Sequence, residues 1–114
     1  MKLEIKYVKD RGTDKERLVL IAQEDCDIGR FFIFTSTAIG EKISPAVKHP
    51  FWLPDQKVKK GDLVVIYSRR GENSLRQNEN NTTYFYYRGF TDPILTNGNI
   101  ALIVEASTYK WEGQ

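Results

Sequence analysis

Leu3, Ile5 and Tyr7 alternate with Glu4 and Lys6, and this period of two predicts a half-buried strand at the start of the chain. Leu18-Val19-Leu20-Ile21-Ala22 is apolar at consecutive positions, which predicts a strand covered on both faces. Phe31-Phe32-Ile33-Phe34-Thr35 reads as a third strand. Leu63 to Ser68 is the clearest of all, reached through a turn at Gly61-Asp62 that the Asp62 side chain can close with an Asx-type hydrogen bond. Thr82 to Phe90 and Ile100 to Ala106 add two more strands, joined by a turn around Asp92-Pro93 and Asn97-Gly98-Asn99, and Thr108 to Trp111 reads as a last short one. Gly12-Thr13-Asp14 and Asp25 to Gly29 are turns, Gly40 to Pro50 is mostly loop with room for one short strand, and Gly71 to Asn81 is a polar excursion too hydrophilic to pack. No helical periodicity longer than a turn or two competes with this pattern. About six to eight short strands at roughly ten-residue spacing predict an all-β sandwich, with a barrel as the alternative.

The length of 114 residues corresponds to one domain, expected to span residues 1–114. A chain of this size buries roughly two thirds of its unfolded surface, so neither metal nor disulfide is required for folding. Its 40% hydrophobic and 12% aromatic content is that of a globular protein. A net charge of +2 is too small to steer the molecule to nucleic acid or an anionic membrane, so such binding needs a local patch. Cys26, the single cysteine, has no internal partner, which points to a reducing compartment. Met1 to Lys6 carries charges where a signal peptide would be apolar, and no run reaches transmembrane length. Trp111-Glu112-Gly113-Gln114 carries no lipidation box. A cytoplasmic location without membrane insertion is therefore expected.

Three segments resemble the lamin-tail domain, over about Leu3 to Ala106. Asp27-Ile28-Gly29-Arg30-Phe31-Phe32-Ile33 is similar to that family's D-L-x-G-W-x-L segment. His49-Pro50-Phe51-Trp52-Leu53-Pro54, followed by Val58-Lys59-Lys60-Gly61-Asp62-Leu63-Val64-Val65, resembles its Y-x-F-P … L-x-x-G-D-x-V passage. Tyr87-Arg88-Gly89 and Ile94-Leu95-Thr96-Asn97-Gly98-Asn99-Ile100-Ala101-Leu102 resemble its Y-W-G … I-W-N-N-x-G-D-x-A-x-L ending. Arg30 stands at a family glycine, Phe31, Arg88 and Leu95 at tryptophans, and Asn99 at an aspartate. The resemblance implies an immunoglobulin-like β-sandwich that works as a scaffold and interaction module, not as an enzyme. A weaker resemblance links Gly61-Asp62-Leu63-Val64-Val65-Ile66-Tyr67, with Trp52 and Tyr87-Arg88-Gly89, to PUA-like and EVE-type barrels, which bind modified bases or RNA. The low helix content argues against that barrel.

Catalytic chemistry finds little to stand on. His49 and Cys26 are the only residues of their types, and a Cys–His hydrolase needs them in contact with a third orienting group. His49, directly before Pro50, reads as a packing residue, and Asp25 and Asp27 beside Cys26 disfavour a thiolate. One histidine and one cysteine cannot close a zinc site. Glu24-Asp25-Cys26-Asp27 lacks the ligand spacing of an EF-type loop and reads as a solvated turn. The Glu4-x-Lys6 and Asp55-x-Lys57 pairs lack the preceding acid of a nuclease motif. No enzymatic activity, cofactor or metal is expected.

Binding is the better reading. Lys57, Lys59 and Lys60 precede the clearest strand, Arg69 and Arg70 leave it, Arg76 follows in the loop, and Arg88 lies on the next strand. Alternation puts Tyr84, Tyr86 and Arg88 on one face and Phe85 and Tyr87 on the other. If Phe85 and Tyr87 fill the core, Tyr84, Tyr86, Arg88, Arg69 and Arg70 form the expected binding site. Tyrosine and arginine anchor protein interfaces, which makes a protein partner the first expectation. Aromatics beside cations also bind single-stranded nucleic acid by stacking and phosphate contact, which is the alternative. The Gly71–Asn81 loop could order on binding, and carbohydrate binding through Trp52 or Trp111 ranks third.

Overall fold

The apolar runs become strands of two facing sheets in the computed structural model, which describes residues 1–96 and 98–113. In chain order the strands are β1 (Leu3–Lys9), β2 (Arg17–Ala22), β3 (Cys26–Asp27), β4 (Phe31–Ile39), β5 (Lys42–Ile43) and β6 (Lys48–Trp52). They continue as β7 (Lys57–Val58), β8 (Leu63–Tyr67), β9 (Ser74–Gln77), β10 (Thr82–Tyr87) and β11 (Asn99–Glu105), with a 3₁₀ turn at Ile28–Arg30. The protein is an all-β sandwich. Eight of the strands reach four residues or more, in keeping with the expected number, and three are two-residue pairings.

The first sheet runs β1-β2-β8-β10-β9. Its pairs are antiparallel except β8 with β10, which run parallel with Val64 opposite Tyr84 and Ile66 opposite Tyr86. The second sheet centres on β4, flanked by β11 on one side and by β5 and β6 on the other. Both sheets have unpaired edges, so the barrel alternative is not realised.

Alternation in β2 and β8 sends Leu18, Leu20, Val64 and Ile66 inward, where they meet Phe31 and Ile33 of β4 together with Ile28, Leu53 and Val58. Each such buried side chain contributes about 1.5–3 kcal/mol relative to exposure. Val19 and Val65, paired on the opposite face, are buried as well, so the run in β2 has buried residues on both faces as expected, and β8 shares this.

Asp62 closes the turn before β8, though by accepting from upstream and from β10 and not through the expected Asx-type bond to a following N–H. Asp62 Oδ2 accepts from the Lys59 N–H at 2.8 Å, and Oδ1 accepts from the Thr82 N–H at 2.9 Å, so one buried carboxylate joins the starts of β8 and β10. Gly61 sits at φ +92°, a backbone conformation that other residues rarely adopt.

Three expectations are corrected. The polar excursion contains a strand, β9, every residue of which is exposed. It is held by backbone pairing to β10 and by Asn73, whose Oδ1 accepts from the Tyr87 N–H at 3.0 Å. Thr108 to Trp111 forms no strand. The strand drawn to Phe90 ends at Tyr87, where the chain turns inward through Arg88. Asn97, in the turn predicted before the last long strand, lies outside the described residues. No helix among the described residues is long and apolar enough to cross a membrane.

Candidate binding surfaces

The period of β10 is as predicted and its phase is inverted. Tyr84 and Tyr86 face the core: Tyr86 is 9% exposed and Tyr84 packs against the core cluster. Burial, with Tyr84 beside it, raises the Tyr86 phenol above its usual 10. Pairing explains the phase, because Tyr84 and Tyr86 lie opposite Val64 and Ile66, both core residues.

Arg88 follows the same phase into the mouth of the sandwich. Its guanidinium lies 4.8 Å from the Phe51 ring centre and 5.0 Å from that of Phe90. Nη2 donates to the carbonyls of His49 at 2.8 Å and Pro50 at 3.0 Å. Burial lowers its pKa to about 10. Arg88 thus ties β10 to β6 across the two sheets, at a β4–β6 irregularity where His49 adopts φ +52°. Arg69 and Arg70 are exposed at the end of β8. The five residues expected to form one site are therefore divided: two tyrosines inside, one arginine as a tie, two arginines outside.

The outward residues of the first sheet are those of the opposite phase. Tyr67 and Tyr87 stack at 4.8 Å between ring centres and 9° between planes. Arg17 lies over Tyr67 at 5.4 Å, and Arg69 approaches both rings at 5.1 and 5.8 Å. The loop from β8 to β9 crosses Tyr87 so closely that a Cβ at Gly71 would strike the ring. Arg76 covers Phe85 at 5.5 Å. The rings that carry cations are thus Tyr67, Tyr87 and Phe85 and not the expected Tyr84 and Tyr86, and their faces are occupied within the molecule. Stacked bases would have to displace those contacts.

The second sheet presents a different outer face. Because β4 is apolar in both phases, Phe31 and Ile33 enter the core while Phe32 and Phe34 face outward, opposite Val104 and Leu102 of β11. Phe32 and Phe34 stack at 6.3 Å. Trp52, across from Phe32 on β6, lies 4.6 Å from its ring and is 47% exposed. Its Nε1 donates to the Gly29 carbonyl at 2.6 Å, which fixes the indole. Tyr109 meets Trp52 edge-on at 5.2 Å and is 63% exposed. An aromatic row, Phe34–Phe32–Trp52–Tyr109, flanked by Leu102 and Val104, thus lies on the outer face of this sheet, with Trp52, Tyr109 and Val104 exposed and Phe32, Phe34 and Leu102 partly buried. The sequence signal for it was the unbroken apolar runs at Phe31–Phe34 and Ile100–Val104, where a one-faced strand would alternate.

His49 and Cys26 are committed elsewhere. His49 Nδ1 shares a 2.6 Å hydrogen bond with the Thr35 hydroxyl, and burial, with Arg88 and Lys48 nearby, lowers its pKa below 6.5. Burial pushes the Cys26 thiol up, and Asp27 adds to the effect. No group of three or more His, Cys, Asp or Glu among the described residues is placed to hold a metal ion. Comparison of the chain with protein-family models, with curated proteins and with solved structures finds no match.

Proposed function

We propose that the chain is a non-catalytic binding module that docks a protein partner on the outer face of its second sheet. The observation carrying this reading is the aromatic row Phe34–Phe32–Trp52–Tyr109 with Leu102 and Val104 beside it, on a sheet whose other face already fills the core. Large aromatic side chains give much contact area at little entropic cost, and they dominate the buried centres of protein interfaces. The lamin-tail resemblance, which implies an interaction module, points the same way. The nucleic-acid alternative keeps the exposed Arg69 and Arg70 but loses Tyr84 and Tyr86 as stacking groups, so it ranks second.

Affinity capture with the wild-type chain and with the variants Trp52→Ser and Val104→Asp tests the reading. Both residues are exposed enough for the variants to keep the fold, which a thermal melt verifies. The expected result is a partner retained by wild type and by an Arg69→Glu/Arg70→Glu control, and lost from both second-sheet variants. Equal capture by all four chains, or none, overturns the proposal.

A further inference from the structure

At the end of the sandwich opposite Arg88, a cleft of about 450 Å³ opens between the Lys57–Gly61 turn and the hairpin turn at 78–81. Lys57, Lys59, Lys60, Asn78, Asn81 and Tyr84 lie on its walls. The frame is rigid. The Asp62 carboxylate closes both turns, and Asn81 Nδ2 donates to the Gly61 carbonyl at 2.9 Å. The Lys60 N–H is held by Asp25 Oδ1 at 2.8 Å, and Asn78 Nδ2 donates to Asn81 Oδ1 and to Thr83 Oγ1, each at 2.9 Å. The backbone that carries the lysines is therefore set before any ligand arrives.

Val58 is 3% exposed and enters the core, so Lys57 and Lys59 project to the other side and are exposed. None of the three lysines forms an ion pair among the described residues, where the ion pair is Arg17–Asp10. Asp62 is an acid on the wall, and its oxygens are engaged by backbone N–H groups; Asp27 lies opposite Lys57 on the neighbouring strand, and the Asp25 carboxylate is engaged by the Lys60 N–H. Glu79 is the other acid on the wall. Three lysines on the wall of one preformed concavity can each offer an ammonium group to an anion with several charged oxygens. Tyr84 links this cleft to the core, since it packs against the core cluster and lines the cleft.

We propose that this cleft binds a phosphate-bearing oligoanion through Lys57, Lys59 and Lys60. The proposal goes beyond the protein-partner reading and uses none of the residues of the aromatic row. The phosphates come either from a free polyphosphate chain or from the backbone of a single-stranded nucleic acid, and the test separates the two. Isothermal titration calorimetry with sodium tripolyphosphate, and fluorescence anisotropy with a fluorescein-labelled oligothymidylate, are run at ~50 and ~200 mM salt. Wild type is compared with Lys57→Glu/Lys59→Glu and with Arg69→Glu/Arg70→Glu, and thermal melts verify that each folds.

The expected result is salt-sensitive tripolyphosphate binding that Lys57→Glu/Lys59→Glu weakens by roughly tenfold or more and Arg69→Glu/Arg70→Glu leaves unchanged. Oligothymidylate binding that tripolyphosphate displaces identifies the nucleic-acid backbone as the source, and its absence identifies the free polyphosphate. No tripolyphosphate binding at low salt overturns the proposal. So does equal weakening by the two double variants, which shows general charge attraction only, or weakening confined to Arg69→Glu/Arg70→Glu.

Discussion

Glu16 and Ser68, fifty-two positions apart, share a buried 2.6 Å hydrogen bond from the serine hydroxyl to Oε2. The same carboxylate accepts from the backbone N–H groups of Gly12 at 2.9 Å, Ile94 at 2.9 Å and Leu95 at 3.1 Å. A charged group 1% exposed would ordinarily be costly, but here every oxygen has donors, and its net effect is to fasten three loops together. Glu16→Ala strands those donors in the interior and is expected to cost on the order of 3 kcal/mol in urea denaturation. Glu16→Gln, with one acceptor oxygen left, should fall between.

The same residue sets an acid limit. Burial pushes the Glu16 pKa up, but Ser68 and the three N–H groups outweigh it and hold the folded value below the ordinary 4.5. A carboxylate with a lowered folded pKa contributes stability that is complete above about pH 4.5 and lost as the pH falls through the folded value. Denaturation midpoints measured from pH 6 downward should therefore drop steeply in wild type below about pH 4.5, and more shallowly in Glu16→Gln.

Tyr86 acts at the other end of the scale. Its folded pKa is raised above 10, so its contribution is complete below that pH and is lost as the pH rises through the folded value. Ultraviolet titration should show one phenol ionising late, together with alkaline unfolding. Tyr86→Phe should remove that late step and change stability at neutral pH by less than about 1 kcal/mol.

Arg88→Ala removes two hydrogen bonds from a charged donor and two ring contacts, and is expected to destabilise the sandwich by roughly 2–4 kcal/mol. Arg88→Lys should recover only part of this, because an ammonium does not reproduce the planar fork that stacks between Phe51 and Phe90. Hydrogen exchange at His49 and Phe51 should quicken in both variants.

Gly71→Ala places a methyl group in the Tyr87 ring. The loop must shift, at an expected cost of about 1–3 kcal/mol, and the near-ultraviolet dichroism of the Tyr67–Tyr87 stack should change.

Most of the fold was legible in the sequence because it is written in apolar runs. Leu18–Ala22 and Leu63–Ser68 declared central strands, and Asp62 announced its own turn. The binding surface was less legible because alternation says which residues share a face without saying which face is inside. In β10 both faces are aromatic, so only the parallel pairing of Tyr84 and Tyr86 with Val64 and Ile66 decides between them, and that contact is non-local. β9 escaped for the opposite reason: Ser74–Gln77 buries nothing and is held by backbone pairing, which leaves no mark on hydropathy. The outer aromatic row was present as unbroken apolar runs, but its significance depends on the pairing of β4 with β11 and β6, which brings Phe32, Phe34, Trp52, Leu102 and Val104 to one face.

The parallel seating of β10 against β8 also bears on how the chain reaches this state. β8 and β9 are neighbours in sequence and run in opposite senses, yet β10, made later, occupies the place between them. A hairpin closed directly from β8 to β9 would fill that slot early and shut the later strand out. Ser74–Gln77 has little to gain from such a hairpin, since its side chains are mostly polar and remain in water even in the finished sandwich. In the finished sandwich β9 is therefore held by its antiparallel pairing with β10 and not by burial of its own side chains.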